Sequence, residues 1–183
     1  MNQFEYISVA VSLVLALGIT RLLEGLPIIF QGNRRYWVHW LWCLVVGINF
    51  AIMWWIFWNY RNVADWNLGK FLMVLLYPAL GFVVASVLMP KEAKKDTDWR
   101  AYFYGIRKSF FALLTLSTIA QAVVILVVAG VPMFSPPIYT ISPFILLYAL
   151  GIFIDNPRAQ ASFAVLNALM FAFLLSPMAY RSF

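Results

Sequence analysis

Residues Ser109 to Ile154 read SFFALLTLSTIAQAVVILVVAGVPMFSPPIYTISPFILLYALGIFI, 46 residues (109 through 154) without one Asp, Glu, Lys or Arg. A bilayer crossing takes roughly 20 apolar residues, so the run is too long for one crossing and long enough for two. The cluster Gly130-Val131-Pro132 through Pro136-Pro137 divides it, because glycine and proline punctuate helices. Backbone groups in lipid must pair internally, which leaves helical bundles or closed barrels. Barrel strands alternate apolar and polar residues over about ten positions. These runs are continuous, so they read as helices.

The same texture extends to both sides. Of the 183 residues, 64% are hydrophobic and 11% charged, against about half and about a quarter in soluble domains. A soluble fold of this size has no place for so much apolar surface. The sequence therefore predicts an all-α integral membrane protein with about six transmembrane helices in a single transmembrane domain spanning 1–183. The expected segments are 4–30, 36–60, 70–89, 109–130, 137–154 and 159–180. Segment five is the shortest: from Pro143 to Ile154 it reaches only about 18 Å at 1.5 Å per residue. To cross, it must start near Pro137 and absorb Pro143; otherwise Pro143 opens a shorter, re-entrant helix capped by Ser142. Segment three carries Pro78 at mid-span, where a kink is expected.

A charge of +6 suggests nucleic acid in a soluble protein, but here it reflects basic loops and anionic lipid, and no nucleic-acid partner is expected. Loops one, three and five hold Arg34, Arg35, Lys91, Lys94, Lys95, Arg100, Arg107, Lys108 and Arg158, while the opposite side holds Arg61, Lys70 and Arg181. The positive-inside rule then puts both termini outside and the basic loop 91–108 in the cytoplasm. No Lys or Arg precedes the first apolar stretch and Glu5 stands near its start, unlike a cleaved signal peptide.

Several polar residues fall inside the apolar segments. Arg21 and Glu24 are spaced for an ion pair on one helical face. Arg21 shares its stripe with Ala10, Val14, Gly18 and Gly25, small residues that let another helix approach closely. Three arrangements suit this pattern: Arg21 reaching the cytoplasmic headgroups, a buried structural pair, or a polar site or ion path. Asn49, Thr118, Gln121 and Asn167 are the other intramembrane binding candidates, with interhelical hydrogen bonding as their plainer role. Trp54, Trp55, Phe57, Trp58 and Tyr60 crowd one end of segment two and Trp37, Trp40 and Trp42 the other, as interfacial aromatic belts do.

Within 91–108, Asp96-Thr97-Asp98 precedes Trp99, Phe103, Ile106 and Phe110 on one stripe, flanked by Arg100 and Arg107 with Lys108 opposite. This predicts a basic amphipathic helix in the cytoplasmic interface, where Trp99, Arg100, Phe103, Arg107 and Lys108 meet anionic lipid.

No catalytic constellation is visible. The chain has no phosphate-binding glycine loop, no His-Glu-x-x-His, no Gly-x-Ser-x-Gly and no pair of neighbouring carboxylates within one segment. With Cys43 as the single cysteine and His39 as the single histidine, neither a zinc site nor a bis-histidine haem can be built from this chain alone, and no cofactor is expected.

The opening Phe4-Glu5-Tyr6-Ile7-Ser8-Val9, followed by Leu17-Gly18-Ile19-Thr20-Arg21-Leu22-Leu23-Glu24-Gly25-Leu26, resembles the start of a group of small uncharacterised bacterial multi-pass inner-membrane proteins. The resemblance covers about the first 30 residues and implies a bacterial inner-membrane location without an activity. The expected functions are a small, oligomeric transporter or channel for a neutral, apolar or anionic solute, with Arg21 as the intramembrane positive charge. The alternatives are a non-catalytic subunit or scaffold of a larger membrane complex, and a lipid- or pigment-binding protein.

Overall fold

A reciprocal cap starts the first helix: the Glu5 N–H donates to Asn2 Oδ1 at 2.8 Å, and the Asn2 N–H returns to the Glu5 carboxylate at 3.0 Å. Two of the orphan donors at the helix start are thereby satisfied. The computed structural model describes residues 2–31, 34–91 and 94–180. Its elements are α1 (Gln3–Gln31), α2 (Trp37–Phe57, continued by a 3₁₀ turn Trp58–Tyr60), α3 (Leu68–Leu88), α4 (Trp99–Val127), α5 (Pro136–Phe153) and α6 (Pro157–Tyr180). All six are long and apolar enough to cross a membrane. The chain is an all-α multi-pass membrane protein.

Segment five is one helix of 18 residues, about 27 Å long. Pro136 occupies its first turn, where a missing N–H costs nothing, and Pro143 sits inside it. The Pro143 ring cannot donate to the Tyr139 carbonyl four residues back. Ser142 Oγ donates to that carbonyl instead, at 3.1 Å. Gly130 closes α4 with φ of +64°, and the Val131 N–H turns back to the Ile125 carbonyl at 3.3 Å. Only glycine takes that conformation without strain.

The basic amphipathic stretch differs from the sequence expectation. Residues 99–108 are the first turns of α4, capped by Asp98 Oδ1 accepting from the N–H groups of Arg100 and Ala101. Trp99, Phe103 and Phe110 are fully buried in protein. Trp99 stacks on His39 with ring centres 4.8 Å apart, and Phe103 packs on Tyr36 at 5.7 Å. Tyr102 donates to the Val87 carbonyl at 2.6 Å, tying α4 to the end of α3. An apolar stripe suits a protein groove as well as a lipid boundary; here the groove formed by α2 and α3 takes it.

Helix α2 is central and touches α1, α3, α4 and α6, while α1 packs along α3, α3 along α4 and α4 along α5. The small residues permit these approaches. A Cβ on Gly18 would stand 2.3 Å from Phe50, one on Gly25 2.4 Å from Met89 Sδ, and one on Gly151 2.5 Å from Phe111. Gly18 and Gly25 thus perform the role their stripe implies. Trp42, expected in an interfacial belt, is buried instead at the centre, edge-on to Phe110, Phe111 and Tyr148. Trp37, Trp40, Trp54, Trp55 and Trp58 do face outward.

The alternating helices give the bundle two unlike ends. One, here the basic end, gathers Arg34, Arg35, Lys91, Lys94, Lys95, Arg100, Lys108 and Arg158, all exposed. The other carries the start of α1 and the loops after α2 and α4. There the Asn67 side chain caps α3 and Lys70 pairs with Asp65 at 2.6 Å, holding that carboxyl below its usual range. Arg181, assigned to this end from sequence, lies outside the described residues.

Candidate functional site

Between α2, α4, α5 and α6 lies a partly open cavity of about 500 Å³, within the range of small-molecule sites. Helices α2, α4 and α5 contribute polar groups, and α6 closes the space with Phe171 and Leu174. Asn49 comes from α2, and Ser117, Thr118 and Gln121 from one face of α4. Thr140 and Tyr148 come from α5, and Tyr77 reaches in from α3. Ile52, Leu114, Ile141, Phe144 and Phe171 supply apolar wall. The lining continues through Asn59, Tyr60, Val131 and Pro137, so the cavity extends toward the end opposite the basic one.

Some of the polar groups meet in pairs. The Tyr77 hydroxyl meets the Asn49 amide, and Tyr60 and Tyr148 line the same space. Tyr148 donates to Asn167 Oδ1 at 2.8 Å. Asn167 is completely buried behind the cavity wall. Thr118 donates to the Leu114 carbonyl at 2.8 Å, which leaves its oxygen lone pairs as acceptors. Among the described residues, no Asp, Glu, Lys or Arg lines the cavity. The site therefore offers hydrogen bonds of both senses and no fixed charge.

Among the residues expected from sequence, Asn49, Thr118 and Gln121 meet here, and Asn167 supports them through Tyr148. Arg21 and Glu24 do not. Their side chains stand 3.7 Å apart at 13% and 62% exposure, away from the cavity lining. An anion site built on Arg21 in this cavity is not what the fold assembles.

Arg107, expected at the lipid interface, is instead the most deeply buried cation among the described residues. Its side chain is 4% exposed, and Nη1 donates to the carbonyls of Gly151, Ile152 and Ile154 at 2.7, 3.0 and 3.0 Å. Nε lies 3.3 Å from the Asp155 carboxylate. The last carbonyls of a helix have no intrahelical partner, and they carry the negative end of its dipole. Arg107 answers both for α5, and Gln160 Nε2 adds a bond to Ile154 O at 2.6 Å. These two residues fix the α5–α6 turn and with it one wall of the cavity. Trp99 and Phe103 are buried too, so of the five expected lipid contacts only Arg100 and Lys108 stay exposed.

Sequence reading missed Tyr60, Tyr77 and Tyr148. Each sits in an aromatic-rich segment where tyrosine reads as belt or core, and only packing brings the hydroxyls together. No protein-family model, curated protein or solved structure matches this chain.

Proposed function

We propose that the chain binds an uncharged small molecule in this cavity and carries it across the membrane. The observation that supports the reading is the lining itself: hydrogen-bonding groups on four helices around a space of about 500 Å³, with no ionic side chain among its described residues. Burying an ion there without a counter-charge is costly, whereas a neutral solute exchanges its water for Asn49, Ser117, Thr118 and Gln121. Arg107 and Asp155 lie at the basic end, where they hold α5 in place. By the positive-inside rule the basic end faces the cytoplasm. The cavity then opens to the outside, and Arg100 and Lys108 rest against anionic headgroups.

Cysteine accessibility tests this without knowledge of the solute. In a Cys43→Ala background, Thr118→Cys is expected to react with a membrane-impermeant maleimide from the outer face. Slower reaction from the cytoplasmic face is expected as the carrier turns over. Absence of reaction from both faces of sealed vesicles overturns the reading.

A further inference from the structure

A second space adjoins the first. Along the lipid-facing side of α5 and α6 runs a groove of about 900 Å³ lined by Pro143, Leu146, Leu150, Leu166, Leu169 and Phe173. Thr140, Phe144 and Leu174 border both the groove and the polar cavity. Helices α5 and α6 meet on the inner side, through the Tyr148–Asn167 hydrogen bond and the Phe144–Phe171 rings at 5.1 Å. The groove lies between their outer faces. A wall of three residues therefore separates an uncharged hydrogen-bonding chamber from an apolar groove on the lipid-facing side.

We propose that the ligand is a neutral amphiphile that enters sideways from the bilayer, its polar head in the cavity and its hydrocarbon chain in the α5–α6 groove. This rests on the cavity being a ligand site, and it names the ligand class. The two linings match the two halves of such a molecule. An alcohol, quinone or amide head finds donors and acceptors at Asn49, Ser117 and Gln121. A phosphate or carboxylate head finds no cation, since none borders either space. The chain in the groove keeps a lipid-like environment, so only the head must leave its interfacial water. Pro143, next to Phe144 in the groove wall, leaves no backbone group exposed to the passing head: it has no N–H, and the Tyr139 carbonyl that it cannot serve is held by Ser142.

The test uses hexadecanol carrying a chain diazirine, photolysed with the full-length protein in phosphatidylcholine vesicles, with labelled residues mapped by mass spectrometry. Labelling is expected to concentrate on Leu146, Leu150, Leu166 and Leu169 and to be competed by plain hexadecanol. In Asn49→Leu/Gln121→Leu it should fall about five- to ten-fold, the loss of one or two head hydrogen bonds. Leu146→Trp, which fills the groove from an outward-facing position, should block it with the fold intact. Uncompeted labelling no denser than at Leu13 and Leu17, which face lipid on α1, overturns the amphiphile. If Thr118→Cys still reacts with maleimide in that case, the cavity reading stands and the ligand comes from water. If it does not react, both fall together.

Discussion

Replacing Arg107 by Met keeps an unbranched apolar stem in place of the arginine methylenes and removes the guanidinium. Three carbonyls at the end of α5 then lose their donor, and Asp155 loses the partner 3.3 Å away. Gln160 retains its bond to Ile154 at 2.6 Å and a long one to Gly151 at 3.4 Å, so rescue is partial. Hydrogen bonds from a charged donor are worth about 1.5–3 kcal/mol each in soluble proteins, and interhelical bonds in membranes average about 0.6. Three bonds with the membrane figure as the floor and one full charged bond as the core give a cost of about 2–4 kcal/mol. At about 2–4 °C per kcal/mol for a chain of this size, melting should fall by roughly 5–15 °C. Arg107→Lys supplies one point charge in place of a fork and should recover less than half of the loss. The assay is thermal unfolding in mild detergent beside Lys108→Met, an exposed neighbour expected to move little. An Arg107→Met protein that melts within about 1 °C of the parent would refute the clamp, because a loss of even 1 kcal/mol should exceed that.

Gly151→Ala places a methyl 2.5 Å from the Phe111 ring and should cost about 1–3 kcal/mol by overpacking. Gly105→Ala meets nothing within 4 Å and should instead stabilise α4 by about 0.5–1 kcal/mol; the same unfolding assay reads both. Tyr148→Phe removes the donor to buried Asn167 and should cost about 1 kcal/mol, with Asn167→Leu in the same background adding little because the pair acts as one unit. Thr118→Trp fills the cavity from a half-buried position, so it should abolish cavity binding in the labelling experiment while leaving melting nearly unchanged.

The helices were legible because hydrophobic length alone carries them. Ser109 to Ile154 shows two crossings without any knowledge of packing, and Gly130 and Pro136 mark the turn by backbone chemistry. The stripe of Gly18 and Gly25 was legible for a similar reason, since a missing side chain implies a near neighbour. Arg107 was not. On a basic amphipathic stripe it looks like a lipid contact, and its true partners are carbonyls more than 40 residues away that no composition rule links to it. Trp42 and the tyrosines fail in the same way, because an aromatic residue in a membrane segment reads alike whether it faces a headgroup, the core or a cavity. Asn49, Thr118 and Gln121 could be singled out as polar residues in apolar surroundings, but their meeting in one space depends on the rotation of α2 and α4, which sequence periodicity leaves free.

Native mass spectrometry of the chain purified in mild detergent, taken with an absorption spectrum, tests the central claim most directly. The account predicts an uncharged small molecule held by the parent protein and lost from a folded Asn49→Leu/Gln121→Leu variant. An empty cavity in both proteins, or a stoichiometric second protein in place of a small molecule, would contradict it.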